Sequence, residues 1–153
     1  MRKIVLLFLF AALSFTIKAQ DITGRWQSES AEVEDNKIAE NYQFFADGTF
    51  NYNPAADDGL SRIGKISGTY KITGSKITLT ALYYTERSGG DLTIDGAAGE
   101  ADWNFKNAKE DKVEIKNQVA KELPFKFSKK KGAAVLEIDG SEYYKISSDP
   151  NKM

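Results

Sequence analysis

The stretch GKISGTYKITGSKITLTALYY, residues 64–84, decides the fold, because polar and apolar side chains alternate along it with a period of two. Successive side chains of a β-strand point to opposite faces, so the alternation indicates strands with one face in a core and one in water. Gly74-Ser75 interrupts the pattern as a turn signal. The inward-facing positions are Gly64, Ile66, Gly68, Tyr70, Ile72, Ile77, Leu79 and Ala81. We therefore predict an antiparallel hairpin.

A second hairpin is predicted just upstream, in NYQFFADGTFNY at residues 41–52. Two aromatic runs flank Asp47-Gly48, and glycine readily adopts the positive φ of a tight hairpin turn. The aromatic residues on the inward face are Tyr42, Phe44, Phe50 and Tyr52. This stretch is a section of wall whose inner face is rich in aromatic rings.

Short strand patterns recur along the rest of the chain, and no segment has a convincing helical period. They are TGRWQSES at 23–30, ADWNFKN at 101–107, DKVEIKN at 111–117, PFKFS at 124–128, AAVLEI at 133–138 and SEYYKI at 141–146. A sheet that is polar on one face must hide the other, and without helices it does so by closing on itself. We expect an all-β protein, an antiparallel up-and-down β-barrel of about 8–10 strands.

Two segments interrupt this meander of strands. Residues 54–63 are predicted to form a loop, and residues 86–100 a Gly-rich loop with room for a short strand at residues 92–94. Long loops on a rigid scaffold often control access, so we place both at one opening of the barrel. Residues 31–39 are either a loop or an extension of the neighbouring strands.

Residues 1–19 have the pattern of a secretory signal peptide. The basic pair Arg2-Lys3 precedes an apolar run at residues 4–15, which ends before Lys18-Ala19-Gln20. The run is shorter than the roughly 20 apolar residues that span a bilayer, and no later stretch is long enough. No cysteine lies near the junction, which argues against a bacterial lipoprotein. We predict cleavage after Ala19 and a secreted or periplasmic location, with no integral membrane segment in the mature chain.

The composition excludes several classes of function. The chain has no cysteine and no histidine, so disulfides, thiol nucleophiles, imidazole bases and nitrogen or sulfur metal ligands are all missing. Every acidic residue is placed on a polar strand face or in a turn, so no carboxylate pair is positioned for catalysis. Lysine and arginine number 21 against 22 acidic residues, a balance that does not suggest a nucleic-acid partner. We expect one domain over residues 20–153, monomeric, with no enzymatic activity and no cofactor.

Three charged clusters have a simpler interpretation than a binding site. Asp57-Asp58-Gly59 is one, and Asp95-Gly96 with Glu100 and Asp102 is another that could offer oxygen ligands to calcium. Neither has the alternating acidic spacing of a calcium loop, so no metal site is predicted. The basic run Lys129-Lys130-Lys131 is interpreted as a solvated turn.

Three motifs in a fixed order carry a resemblance to a known family. A Gly-x-Trp arrangement opens the first strand, and it is followed by F-x-x-DGTF and by G-x-Y-x-x-x-G-x-x-I-x-L. The residues that form them are Gly24, Trp26, Phe44 or Phe45, Phe50, Gly68, Tyr70, Gly74, Ile77 and Leu79. Over residues 21–84 the chain resembles the lipocalins, which are calycin-type β-barrels, and more closely the small bacterial lipocalin-like secreted domains.

The resemblance implies an antiparallel barrel with a cavity for a small, largely apolar molecule. In lipocalins an arginine near the last strand typically covers the first-strand tryptophan, but this chain has no arginine after residue 87. Lys145 is the candidate to take that place, although an ammonium stacks less well than a guanidinium. Trp26 is expected to plug one end of the barrel.

Aromatic side chains on the inward strand faces are the candidate ligand-binding residues, because a tyrosine combines an apolar ring with a polar tip. They either fill a solid barrel or line a cavity, and the resemblance favours a cavity. The predicted set is Trp26, Tyr42, Phe44, Phe50, Tyr70, Tyr83, Trp103 and Phe105. The predicted function is binding of a small hydrophobic or amphipathic molecule. The alternative is a protein-interaction module, such as an inhibitor or envelope-assembly protein, that uses loops 54–63 and 86–100.

Overall fold

Eleven β-strands make up the part of the chain that the computed structural model describes, which comprises residues 21–28, 39–54, 61–95 and 102–152. The strands are β1 (Gly24–Gln27), β2 (Asn41–Phe44), β3 (Thr49–Asn53), β4 (Ile63–Thr73), β5 (Lys76–Ser88), β6 (Asp91–Asp95), β7 (Asp102–Lys106), β8 (Lys109–Glu114), β9 (Ala120–Lys130), β10 (Ala133–Ile138) and β11 (Ser141–Ser147). These residues include no helix long and apolar enough to cross a membrane. The predicted all-β class is confirmed.

Eight of the strands close a ring. The order is β1, β2, β3, β4, β5, β9, β10 and β11, and β11 pairs back with β1. Every neighbouring pair in the ring is antiparallel. The predicted up-and-down β-barrel is therefore confirmed, and closure leaves no free edge within the ring.

Both predicted hairpins are present. In the β4–β5 hairpin, Ile72 lies opposite Ile77 across the turn at Gly74-Ser75. In the β2–β3 hairpin, the backbone amide of Phe45 donates to the carbonyl oxygen of Thr49 at 2.9 Å. Strict alternation along these segments therefore identified both the strands and their inward faces.

β5 is longer than the ring requires, and its outer half pairs with a strand outside the ring. The first half of β5 pairs with β9, while residues 83–88 pair with β8. After Ser88 the chain forms a separate two-stranded hairpin of β6 and β7, which we call the β6–β7 ribbon. The segment 86–100 was thus wrongly predicted to be mainly loop, since β5 extends to Ser88 and β6 occupies residues 91–95. The short strand expected at residues 92–94 is confirmed within β6.

Two glycines of the family-like motifs allow close backbone contacts. A Cβ atom on Gly68 would lie 2.0 Å from the carbonyl oxygen of Thr80, where β4 has an irregular register against β5. A Cβ atom on Gly24 would lie 2.4 Å from the carbonyl oxygen of Ser147, and Gly24 has a φ of +133°. Side chains at these positions would force neighbouring strands apart, which explains glycine at both.

The barrel has two different ends, because alternate connections of an antiparallel ring lie at the same end. The turn end carries the short connections 45–48, 74–75 and 131–132, together with the residues that precede β1. The loop end carries the β1–β2 and β3–β4 connections. The β10–β11 turn and the β6–β7 ribbon also belong to the loop end by this alternation.

A single hydrophobic core lies inside the ring. Its fully or almost fully buried members are Ile22, Trp26, Phe44, Phe50, Ile77, Leu123, Phe125, Leu136, Ile138 and Tyr143. Burying a side chain of this size contributes about 1.5–3 kcal/mol, and without disulfides this burial must supply most of the stability.

Several predictions concern residues outside the described part of the chain. The predicted signal peptide at residues 1–19 is one of them, and most of the segment 31–39 is another. The loop predicted at 54–63 is described only at residues 54 and 61–63, of which Ile63 already belongs to β4. These three predictions stay predictions. The basic run at residues 129–131 ends β9 and enters the turn at Lys131-Gly132, and its exposed side chains match the expected solvated turn.

Candidate functional site

Six aromatic side chains of the barrel interior form one connected cluster. Tyr42 lies at its centre, with ring centroids 4.8 Å from Tyr52, 5.0 Å from Tyr143 and 5.4 Å from Phe44. Separations in this range are favourable for aromatic pairs. The other two members, Phe50 and Tyr70, contact Phe44 at 6.4 and 5.0 Å. Four of the eight predicted site residues belong to this cluster, namely Tyr42, Phe44, Phe50 and Tyr70. A fifth, Trp26, lies beside it, opposite Tyr42 on the neighbouring strand.

Trp26 is enclosed on the side of the turn end. Its side chain is 0% exposed, and its indole nitrogen donates to the carbonyl oxygen of Ile22 at 2.7 Å. Phe127 packs edge-on against the indole at 5.9 Å. The Lys145 ammonium lies 5.4 Å from the ring centroid. Lys145 thus occupies the place predicted for it, since the register sets it directly opposite Trp26 on the neighbouring strand.

The aromatic residues next to this plug are also packed into the core. Phe44 is 0% exposed and Phe50 is 4% exposed. Tyr70 is half-buried, and its hydroxyl donates to the carbonyl oxygen of Phe45 at 2.9 Å. In this conformation Trp26 and Phe44 have no surface that a ligand could reach, so they act as the floor of the interior.

The loop end has a different lining, which we call the Glu40 cluster: Glu40, Tyr42, Tyr52 and Tyr143. Glu40 immediately precedes β2, and its carboxylate accepts a hydrogen bond from the Tyr143 hydroxyl. Glu40, Tyr42 and Tyr52 are each half-buried. A carboxylate is thus placed beside three tyrosines where the aromatic interior reaches the loop end.

Burial and the charge of Glu40 both keep these phenols protonated. Burial is the largest cause that raises the pKa of Tyr52, to about 12, and the negative charge and hydrogen bonding of Glu40 add to it. Burial also raises the pKa of Tyr42, with smaller contributions from Tyr52 and Glu40. For Tyr143 burial is again the largest cause, followed by its hydrogen bond to Glu40. The hydroxyls therefore act as hydrogen-bond donors at neutral pH.

The remaining predicted site residues do not join this cluster. Tyr83 lies on the part of β5 that pairs with β8, where the Lys112 ammonium is 3.8 Å from its ring centroid. Phe105 lies on β7, outside the ring of strands, and the Arg62 guanidinium is 4.3 Å from its ring centroid. The Trp103 side chain lies outside the described residues, although its backbone belongs to β7.

Glu40 is the residue that the sequence analysis missed. Every acidic residue was expected on a polar face or in a turn, and this was wrong for Glu40, which contacts the buried Tyr143. The alternating pattern could have predicted this position, because a period of two places residue 40 on the same inward face as Tyr42. Tyr52 was identified as an inward-facing aromatic residue and SEYYKI at 141–146 as a strand, but the contact between Glu40 and Tyr143 was not predicted.

Metal binding has little support in the described residues. They contain no group of three or more acidic, histidine or cysteine side chains that could hold an ion. The two acidic clusters considered for calcium lie wholly or largely outside the described part of the chain, at residues 57–59 and 95–102.

A separate cleft of about 370 Å³ lies against the turn end. Its lining residues are Asp21, Ile22, Thr23, Ala46, Gly48, Tyr70, Lys71 and Ile72. Its lining contains no member of the Glu40 cluster, and Tyr70 is the lining residue whose ring also contacts Phe44 of the aromatic interior.

The architecture agrees with what comparison with known proteins shows. A family model described as a lipocalin-like domain matches residues 22–98, about half of the chain, and this span runs from just before β1 to just beyond β6. No curated protein and no solved structure matches the chain. The matched span supplies five consecutive strands of the closed eight-stranded ring. The chain therefore belongs to the lipocalin-like domain family.

Proposed function

We propose that this chain is a secreted protein that binds a small apolar or amphipathic molecule at the loop end of its barrel, without transforming it. The observation that carries the proposal is the gradient inside the barrel. Trp26 and Phe44 toward the turn end are 0% exposed, whereas Tyr42 and Tyr52 toward the loop end are half-buried, with protonated polar tips. Calycin-type folds commonly bind ligands, which supports a binding function.

Binding without chemistry is the better proposal for this site. The lipocalin-like family is generally non-enzymatic. The chain has no histidine or cysteine, and the one half-buried carboxylate of the cluster is surrounded by phenols that stay protonated. General acid–base catalysis needs a group that changes protonation near the working pH, and these tyrosines do not.

Export is the part of the proposal that rests on residues 1–19 alone. If they are a cleaved signal, protein recovered from an extracytoplasmic fraction should have an intact mass that corresponds to a start near Gln20. Full-length chain recovered from membranes would contradict export.

Binding can be tested with an apolar fluorescent probe added to folded protein from which co-purified lipid has been removed. Binding should be saturable, and Tyr52→Ala should weaken it because the substitution removes a half-buried wall residue of the loop end. Tyr144→Ala is the matched control, since Tyr144 follows Tyr143 on β11 and lies on the opposite face. Absence of saturation with any apolar probe would overturn the proposal.

A second candidate function is contact with a protein partner through the β6–β7 ribbon. The observation that favours it is the exposure of Leu92 and Ile94, at 53% and 54%, on one face of β6. If this ribbon is the working surface, Leu92→Ser with Ile94→Ser should abolish capture of the partner and leave probe binding unchanged. If the barrel interior is the working surface, Tyr52→Ala should weaken probe binding, while the double variant should bind the probe like the wild type.

A further inference from the structure

Glu40 has no cationic partner among the described residues, although it lies beside three aromatic rings. The ion pairs of the described residues all involve other carboxylates. The protein groups that hydrogen-bond to Glu40 are neutral tyrosine hydroxyls. A half-buried carboxylate with only neutral donors keeps most of its negative charge uncompensated.

We propose that the Glu40 cluster recognises a positively charged head group, so that the ligand of this barrel is an amphipathic cation with an ammonium head on an apolar tail. The inference rests on the proposed function, since it names the class of molecule that the barrel would hold. The ammonium would lie between the Glu40 carboxylate and the Tyr52 ring, with the tail directed toward the apolar interior.

The chemistry of the cluster favours a cation over other head groups. A carboxylate has about four lone-pair positions, and Tyr143 together with Tyr52 uses only part of them. The Tyr52 ring contacts one other ring of the cluster, that of Tyr42, and the residue is half-buried, so part of its side chain remains accessible. An ammonium near an aromatic face and a carboxylate gains from both at once.

The opposite end of the barrel already contains the same kind of contact. There the Lys145 ammonium lies 5.4 Å from the Trp26 ring centroid, inside the range of a cation–π interaction. At the turn end the chain thus supplies its own ammonium to an aromatic ring. At the Glu40 cluster it supplies the rings and a carboxylate, and none of the ion pairs and cation–π contacts of the described residues involves a member of that cluster.

An anionic or purely neutral head group matches the cluster less well. The negative charge of Glu40 contributes to the raised pKa values of all three tyrosines, which indicates a negative potential at their hydroxyls. An anion would be repelled by that potential, and a neutral head group would gain nothing from it.

The test compares three amphiphiles with the same dodecyl tail, each below its micelle concentration, on delipidated protein. They are dodecyltrimethylammonium, dodecyl maltoside and dodecyl sulfate, with affinity measured by calorimetry. We expect the cationic amphiphile to bind at least about tenfold more tightly than the neutral one, the usual scale for a contact with a charged group. Dodecyl sulfate should bind least.

Glu40→Gln identifies the group responsible, because it removes the charge and keeps the size of the side chain. The substitution should weaken binding of the cationic amphiphile about tenfold and leave the neutral one within about twofold. The exposed Glu114 on β8 provides the matched control, since Glu114→Gln changes the net charge equally. Circular dichroism checks that each variant is folded. The comparison of the three amphiphiles on the wild-type protein tests the inference even if a variant fails to fold.

The outcomes separate this inference from the proposed function. If none of the amphiphiles binds, both fail. If the neutral and cationic amphiphiles bind equally, or if Glu114→Gln weakens the cation as much as Glu40→Gln does, the head-group inference fails and the proposed function stands. Preferred binding of dodecyl sulfate would also overturn the inference.

Discussion

The two ends of the barrel interior use the same residue types in opposite ways. At the turn end Trp26 is completely buried, its indole nitrogen is bonded to a backbone carbonyl, and Lys145 covers its ring. At the loop end Tyr42 and Tyr52 are half-buried, and the nearby charge is the carboxylate of Glu40. At the turn end the indole nitrogen is hydrogen-bonded within the chain, whereas the loop end keeps a carboxylate without a cationic partner in the described residues and half-buried tyrosines. The difference indicates that the turn end contributes stability and the loop end is available for binding.

The largest expected effect comes from removing the plug of the turn end. Trp26→Ala should lower the free energy of unfolding by about 3–5 kcal/mol, the usual loss for a buried large aromatic, because it leaves a cavity and an unpaired carbonyl at Ile22. For a domain whose total stability is about 5–15 kcal/mol, much of the fold would be lost. Urea denaturation followed by circular dichroism measures the change. A variant within about 0.5 kcal/mol of the wild type would mean that Trp26 does not close the barrel.

At the loop end the loss of one buried hydroxyl should cost less. Tyr143→Phe removes the hydrogen bond to Glu40 and should lower the free energy of unfolding by about 1.5 kcal/mol, since the acceptor is a carboxylate but is only half-buried. The same denaturation experiment applies, with Tyr144→Phe on the opposite face of β11 as the control. A loss as large as that of Trp26→Ala would show that the loop end is as much a part of the stability core as the turn end.

The cover over Trp26 should make a smaller contribution. Lys145→Ala should lower the free energy of unfolding by about 0.5–1 kcal/mol, the range of a partly exposed cation–π contact. Lys145→Arg should keep the stability or raise it, because a guanidinium stacks better on an indole. If Lys145→Ala has the same stability as the wild type, the ammonium does not stabilise the fold through the ring.

These contacts show which parts of the structure the sequence can predict. The strands and inward faces of residues 41–52 and 64–84 follow from a strict period of two, which depends only on neighbouring residues. Lys145 could be named because a motif fixed the position of Trp26, and the last strand offered one basic residue there. In each case local pattern was enough.

The Glu40 cluster could not be predicted in the same way. Tyr143 and Glu40 are 103 positions apart, and their contact depends on the closure of the ring between β1 and β11. Strands were expected at residues 92–94 and 101–107, but the pairing of β6 with β7 was not predicted, because Gly89 and Gly90 indicated a loop although they only separate two consecutive strands. Pairing across the sheet decides both features, and pairing is not a local property.

The last prediction concerns Tyr52, whose ionisation affects the free energy of unfolding only at alkaline pH. Because the pKa of Tyr52 is raised from its ordinary value of 10 to about 12, the unfolded chain loses this proton first as the pH rises. The folded state then binds more protons than the unfolded state, so the free energy of unfolding falls with increasing pH between about 10 and about 12. Tyr52→Phe removes this contribution and should make the decline shallower, as measured by urea denaturation at a series of alkaline pH values. Equal slopes for the two proteins would mean that Tyr52 ionises as easily in the folded barrel as in the unfolded chain, and the contrast between a satisfied turn end and a charged loop end would lose its electrostatic basis.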